Sequence, residues 1–245
     1  LAPGEEFSFN DVVGPRTAER GYKMAHVYSA GKIIDGIGGG ICQVSSTMYN
    51  AVLKADLTVT ERRNHSFTVG YVPLGQDATA FYDSVDFRFV NSTRWPIKIL
   101  ASVGKNSITV TLKGTNEYPN KEVVITYKVL KKTPFTEIVT EDPTKPVGYS
   151  EITVPGMTGY VVDTYKTVKI DGKVVSQTKL HSSSYRAYAQ QVIKGTAPAG
   201  GATKPPAQAK PSEPPVDEAP VPEVPVDEAP PAEPGDLAPA AETAP

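Results

Sequence analysis

The last fifty positions set the outer limit on what this chain can fold into. Residues 196–245 are mostly Pro, Ala, Gly and acid, and Val216-Asp217-Glu218-Ala219-Pro220 recurs as Val226-Asp227-Glu228-Ala229-Pro230. Such a segment has too few apolar side chains to offset the entropy of ordering, so it is expected to be a disordered, extended, polyproline-biased tail. Folding falls to residues 1–195, enough for two modest domains. They carry 23 Lys and Arg against 18 Asp and Glu, and the tail carries 2 against 9, so the net charge of -2 joins a basic body to an acidic tail. No basic stripe interleaved with aromatics points to nucleic acid, and no stretch reaches the ~20 apolar residues of a membrane helix. The opening Leu1-Ala2-Pro3-Gly4 has neither a charged n-region nor an apolar h-region. It is expected to be a cut edge, with any membrane anchor upstream.

Inside the foldable part the decisive change of pattern comes at Cys42. Gly36, Gly38, Gly39 and Gly40 exclude interior helix. Immediately afterwards Val44, Thr47, Met48, Ala51, Val52 and Ala55 recur at three and four, with Leu53 on the flank, which predicts an amphipathic helix over 42–55. Upstream, 26–29 read as a strand turning at Ala30-Gly31, and downstream 57–60 read as another. Residues 65–72 and 79–90, separated by a Pro73-Leu74-Gly75-Gln76 turn, read as strands of one antiparallel sheet, continued as a meander by 97–100 and 108–112. Residues 117–195 lack helical periodicity and are rich in Val, Ile, Thr and Tyr, with turns at Pro143 to Gly148, Pro155-Gly156 and Asp171-Gly172. Asp171-Gly172 between two β-rich runs is the strongest hairpin signal in the chain. The expected fold is α+β: a mixed domain over 1–116 with one central helix against an antiparallel sheet, an elongated all-β module over 117–195, and the tail over 196–245.

Cys42 is the only cysteine, which rules out an internal disulfide and a cysteine-only zinc site. Three glycines precede it by one residue, and it falls in the first turn of the helix, where unpaired N–H groups and the helix field favour a thiolate. His65 follows one helix and one strand later, a spacing that can bring an imidazole over the helix start. In that arrangement Cys42 attacks a carbonyl, His65 takes and returns the proton, and an acid orients the other ring nitrogen. Asp86, alternating with apolar neighbours on a strand, is the first choice for that acid, and Asp77 the second. Gln43 or the Cys42 backbone N–H is placed to bind an oxyanion. Arg16, Arg62 and Arg63 are candidates for ligand contact through substrate carboxylate or anionic glycan. The competing account makes Cys42 core, His65 a satisfied polar group and the glycines a packing turn. His26 and His181 form no metal-ligand spacing, and the glycine run lacks the ending of a phosphate loop, so neither a metal nor another cofactor is expected.

The run Gly38-Gly39-Gly40-Ile41-Cys42-Gln43-Val44-Ser45-Ser46-Thr47-Met48-Tyr49-Asn50-Ala51-Val52-Leu53 resembles the VanW family. The likeness extends upstream through Pro3 to Asn10, Val13 to Thr17 and Gly21-Tyr22, and downstream through Glu61 to Ser66, Tyr71-Val72-Pro73 and Asp77-Ala78-Thr79. Residues 123–195, especially Val168 to Val175, are similar to a G5 module. These resemblances imply an extracellular, cell-wall-associated bacterial protein that binds or organises peptidoglycan or wall polysaccharide. The Cys42 and His65 reading adds an alternative: a thiol acyltransferase or peptidase acting on peptidoglycan stem peptides.

Overall fold

The computed structural model describes residues 1–29 and 32–198. The expected turn at Ala30-Gly31 and the tail beyond residue 198 lie outside the described residues. Strand β1 (Glu6–Ser8) runs directly into the short helix α1 (Phe9–Val13), because Ser8 Oγ accepts the Asp11 N–H at 3.1 Å and caps it. An antiparallel hairpin of β2 (Met24–Ser29) and β3 (Lys32–Ile37) leads to the glycine run. Helix α2 (Ile41–Lys54) follows. Its N-cap is Gly40 at φ 86°, a left-handed conformation that a side chain would strain.

The buried face of α2 differs from the expected apolar stripe. Ser45, Ser46, Met48, Tyr49, Val52 and Leu53 face inward, whereas Thr47 and Ala51 are only half-buried. Two serines can be core residues here because each donates to the Ala78 carbonyl, at 2.6 and 3.3 Å, so that burial leaves neither hydroxyl unpaired. Against this face pack Phe7, Phe9, Phe87 and Phe89. The Phe7 and Phe89 rings stack at 5.0 Å, and Tyr49 meets Phe87 edge-on at 5.5 Å. Three strands form the sheet of this domain in the order β1, β5 (Arg88–Val90), β4 (Thr58–Glu61), all antiparallel.

Two expectations need correction. Residues 65–72 and 79–87 are not paired strands. Apart from an isolated bridge between Phe81 and Val85, the strand begins only at Arg88. The backbone groups of this long loop go instead to side chains and to other loops. Asn50 Nδ2 donates to the Gln76 carbonyl at 2.8 Å, Ser46 Oγ accepts the Ala78 N–H at 3.0 Å, and Thr79 N–H donates to Arg63 at 2.8 Å. Nor is there a continuous meander, since β6 (Lys98–Val103) and β7 (Ile108–Lys113) form a separate two-stranded hairpin.

The second domain is all β, as its composition predicts. An antiparallel sheet has the order β12 (Lys173–Tyr185), β11 (Gly159–Ile170), β8 (Lys121–Thr133). The other sheet has the order β10 (Ser150–Val154), β13 (Gln190–Ala197), β9 (Glu137–Pro146), with β13 and β9 parallel. Asp171 and Gly172, at φ 51° and 76°, make the predicted tight turn between β11 and β12. The expected turn over Pro143 to Gly148 falls at the end of that range. Strand β9 continues to Pro146, and the chain turns at Val147-Gly148. An edge strand tolerates Pro143 because its missing N–H is not needed by a neighbour.

Candidate functional site

Cys42 lies in the first turn of α2, half-buried, with its sulfur 3.6 Å from the Ala80 carbonyl and against the His65 imidazole. The loop carrying His65, Asp77 and Ala80 is held there by the Ser45, Ser46 and Asn50 bonds to residues 76 and 78. Asp77, not Asp86, is the acid beside His65. Its Oδ2 accepts from His65 Nδ1 at 2.6 Å and from the His65 backbone N–H at 2.7 Å, which fixes both the ring and the peptide that carries it. The other imidazole nitrogen, Nε2, is left for the thiol side of the ring, and the Tyr71 hydroxyl stands 3.4 Å from it. Asp86 is occupied elsewhere, accepting from Ser8 Oγ at 2.6 Å and the Asn10 N–H at 2.9 Å and pairing with Arg88. It fastens α1 to the sheet.

Asp77 is 1% exposed, and its remaining oxygen is equally engaged. Oδ1 accepts from Arg62 Nη2 at 2.9 Å and from the Tyr185 hydroxyl at 2.5 Å. Burial alone would push this carboxyl up, but the His65 bond, the Arg62 charge and the Tyr185 bond outweigh it and bring it down to about 2. Burial pulls His65 down, yet its bonds to Asp77 and Cys42 raise it to about 9. Burial also lifts the Cys42 thiol, while hydrogen bonding from His65 and from the Ala80 backbone, with the charges of His65 and Arg16, leaves it below its ordinary value. These opposed shifts favour a thiolate and imidazolium pair over a neutral thiol and imidazole. Tyr71 is pushed up by burial and by the Cys42 charge, so its hydroxyl stays protonated and neutral beside Nε2.

The other predicted residues divide clearly. The Gln43 side chain is exposed and its backbone N–H is spent on Gly40 at 3.0 Å, whereas the Cys42 N–H has no partner among the described residues. Of the two oxyanion candidates, the Cys42 N–H is the free donor. Arg62 is 6% exposed and inward-facing, bonded to the Asp77 carbonyl at 2.6 Å and to Ser183 Oγ at 2.8 Å, so it braces the site from behind. Arg63 is exposed and lines an interdomain cavity of about 460 Å³ whose lining includes neither Cys42 nor His65. Arg16 packs under Gly38, donates to Asn10 Oδ1 at 2.7 Å, and lies between the Phe9 and Tyr82 rings at 5.9 and 5.6 Å. No carboxylate pairs with it among the described residues. His181 is a neutral brace, lowered to about 4 by burial and the Arg62 charge, with Nε2 2.7 Å from the Tyr49 hydroxyl. Among the described residues no group of three or more His, Cys, Asp or Glu could hold a metal ion.

Residues 1–113 match the family model described as VanW like protein, and residues 120–197 match the G5 domain. The chain joins a VanW-like domain to a G5-like domain. The VanW-like domain is 49% identical over 110 residues to the uncharacterized protein YoaR of Bacillus subtilis (strain 168), an alignment covering 45% of this chain and 36% of that protein. It is 28% identical over 113 residues to the vancomycin B-type resistance protein VanW of Enterococcus faecalis (strain ATCC 700802 / V583), covering 44% of this chain and 41% of that one. The chain thus spans about two fifths of the length of these relatives. In the G5-like domain, 34% of the chain aligns with 99% of the IgA1 protease G5 domain at 20% identity and a TM-score of 0.21. VanW-like and G5 domains are typical of extracellular, wall-associated proteins. No described helix is long and apolar enough to cross a membrane. Cys42, His65 and Asp77 all belong to the VanW-like domain, while Tyr185, Ser183 and His181 reach the site from β12 of the G5-like domain.

Proposed function

We propose that this protein acts at the cell wall as a thiol acyl-transfer enzyme on peptidoglycan stem peptides, with the G5-like domain engaging wall polymer. The observation that carries the reading is the 2.6 Å contact between Asp77 Oδ2 and His65 Nδ1, on an imidazole that stands against a thiol at a helix start. Cys42 is the nucleophile. With the proton already on His65, the thiolate attacks the peptide carbonyl and the oxyanion forms beside the free Cys42 N–H. The C–N bond breaks as imidazolium protonates the leaving amine, giving a thioester and neutral His65. Water or a second amine then attacks the thioester, His65 takes its proton, and the thiolate returns. Water makes the protein a peptidase and an amine makes it a transferase, so the acceptor alone separates the two. Asp77 holds the ring through both half-reactions and offsets the imidazolium charge.

Soluble muropeptides incubated with the protein and resolved by mass spectrometry test this. A Cys42-dependent loss or exchange of a stem-peptide residue is expected, together with a thioester adduct on the Cys42 peptide after acid quench. Identical muropeptide profiles from the native protein and Cys42→Ala, with no adduct, would overturn the enzymatic reading. Retention of both proteins on purified sacculi at low salt would then leave a binding module.

A further inference from the structure

The acid of the site is completed from the other domain. Tyr185 ends β12 and is 4% exposed. Its hydroxyl donates to Asp77 Oδ1 at 2.5 Å and accepts the Gly75 N–H at 2.8 Å, so it ties the carboxylate to the turn that carries it. The two oxygens of Asp77 are divided: Oδ2 serves His65 alone, and Oδ1 is held by Tyr185 and Arg62. Two donors on Oδ1 stop the carboxylate from rotating about its Cβ–Cγ bond and losing the His65 contact. Arg62 in turn donates to Ser183 Oγ at 2.8 Å, on the same strand as Tyr185. The end of β12 is itself fixed. The Arg186 N–H donates to the Ser66 carbonyl at 2.8 Å and Asn64 Nδ2 to the Ser184 carbonyl at 2.8 Å, both beside His65 in sequence. Gly159 on β11 passes so close that a Cβ there would lie 2.8 Å from the Tyr185 carbonyl oxygen.

We propose that Tyr185 is a positioning residue of the thiol site, so that the G5-like domain supplies part of the reactive centre of the VanW-like domain rather than serving only as a tether. The inference rests on the Cys42, His65 and Asp77 reading given above. A tyrosine that only glued two domains would need its ring. One that positions Asp77 needs its hydroxyl, because the hydroxyl alone touches Oδ1 and Gly75 N. Removing it loosens the acid, weakens the hold on imidazolium, and narrows the pH window in which the thiolate persists. The acid limb moves up and the alkaline limb moves down.

The test is the rate of Cys42 alkylation by iodoacetamide against pH, in the full chain, for the native protein, Tyr185→Phe, Tyr160→Phe and His65→Ala. Tyr160 pairs with Tyr185 across β11 and β12 and touches none of the three site residues. The proposal expects Tyr160→Phe to match the native profile and Tyr185→Phe to narrow the window, each limb moving by about one pH unit, the size expected from losing one hydrogen bond to a charged group. A Tyr185→Phe profile identical to the native one, with a lowered melting temperature or not, overturns the positioning role while leaving the thiol reading intact. A His65→Ala profile identical to the native one overturns the thiol reading and this inference with it. Should Tyr185→Phe fail to fold, the native protein labelled with 13C at tyrosine Cζ gives the answer. The Tyr185 signal should move as His65 titrates, and a signal flat through that titration contradicts the proposal.

Discussion

The two domains stabilise themselves by different means. The VanW-like domain has a centre of fully buried rings and aliphatics, with Phe9, Phe87, Phe89, Tyr49 and Val52 all at or below 1% exposure. The G5-like domain is made of long hydrogen-bonded ladders, 12 and 13 residues in β11 and β12, and leaves Ile138, Ile152, Val174 and Val175 more than half exposed. Its own buried residues include Val162, Thr164 and Tyr185, and these gather where it meets the loop of residues 73–77. One domain is therefore held by packing and the other by backbone pairing. What the second domain packs most tightly is the back of the thiol site.

That contrast can be broken at graded cost. Phe87→Ala, in the middle of the ring cluster, should lower stability by about 3–5 kcal/mol in urea unfolding. Arg62→Ala should cost about 3 kcal/mol, because it takes the guanidinium charge from the buried Asp77 carboxylate and releases Ser183 at the same time. Gly75→Ala should cost about 1–3 kcal/mol. Gly75 is at φ 79°, and a Cβ there would lie 2.1 Å from Thr164 Oγ1, so the damage falls on the domain junction. Val139→Ala, on the exposed ladder of β9, should stay within about 0.5 kcal/mol. Equal losses at Phe87 and Val139 would refute the contrast.

Proton linkage should follow the same division. His65 is raised to about 9, so its contribution is fully present below pH 6.5 and is lost as pH rises through 9. Asp77 is lowered to about 2, so its contribution is present above pH 3.8 and is lost as pH falls through 2. His181 is lowered to about 4, which adds stability above pH 6.5 and loses it as pH falls towards 4. Melting temperature should therefore be highest near pH 6.5. In His65→Ala the alkaline decline between 6.5 and 9 should flatten, and scanning calorimetry across that range checks it.

What the sequence made legible was local. The period of Val44, Met48 and Val52 located α2 within one residue at each end, and Asp171-Gly172 located the β11–β12 turn, since both signals act between near neighbours. Residues 65–72 and 79–87 read as strands but belong to a loop, because the hydrogen bonds that hold this stretch run to Ser46, Asn50 and Asp77 rather than to a ladder. The meeting of Cys42 with His65 was legible from type and spacing. The choice between Asp77 and Asp86 was not, because both are buried carboxylates beside apolar residues, and only tertiary contacts separate an acid that faces imidazole from one that caps Ser8 and Asn10. Tyr185 lies 108 positions from Asp77, beyond the reach of any periodicity.

The most direct test of the central claim is the pH dependence of Cys42 alkylation in the folded native protein beside His65→Ala. The account predicts a reactive plateau that begins below the ordinary thiol value of ~8.5 and changes again as His65 deprotonates near 9, with the low-pH reactivity lost in His65→Ala. A single titration at or above ~8.5, the same in both proteins, or labelling only after global unfolding, would contradict it.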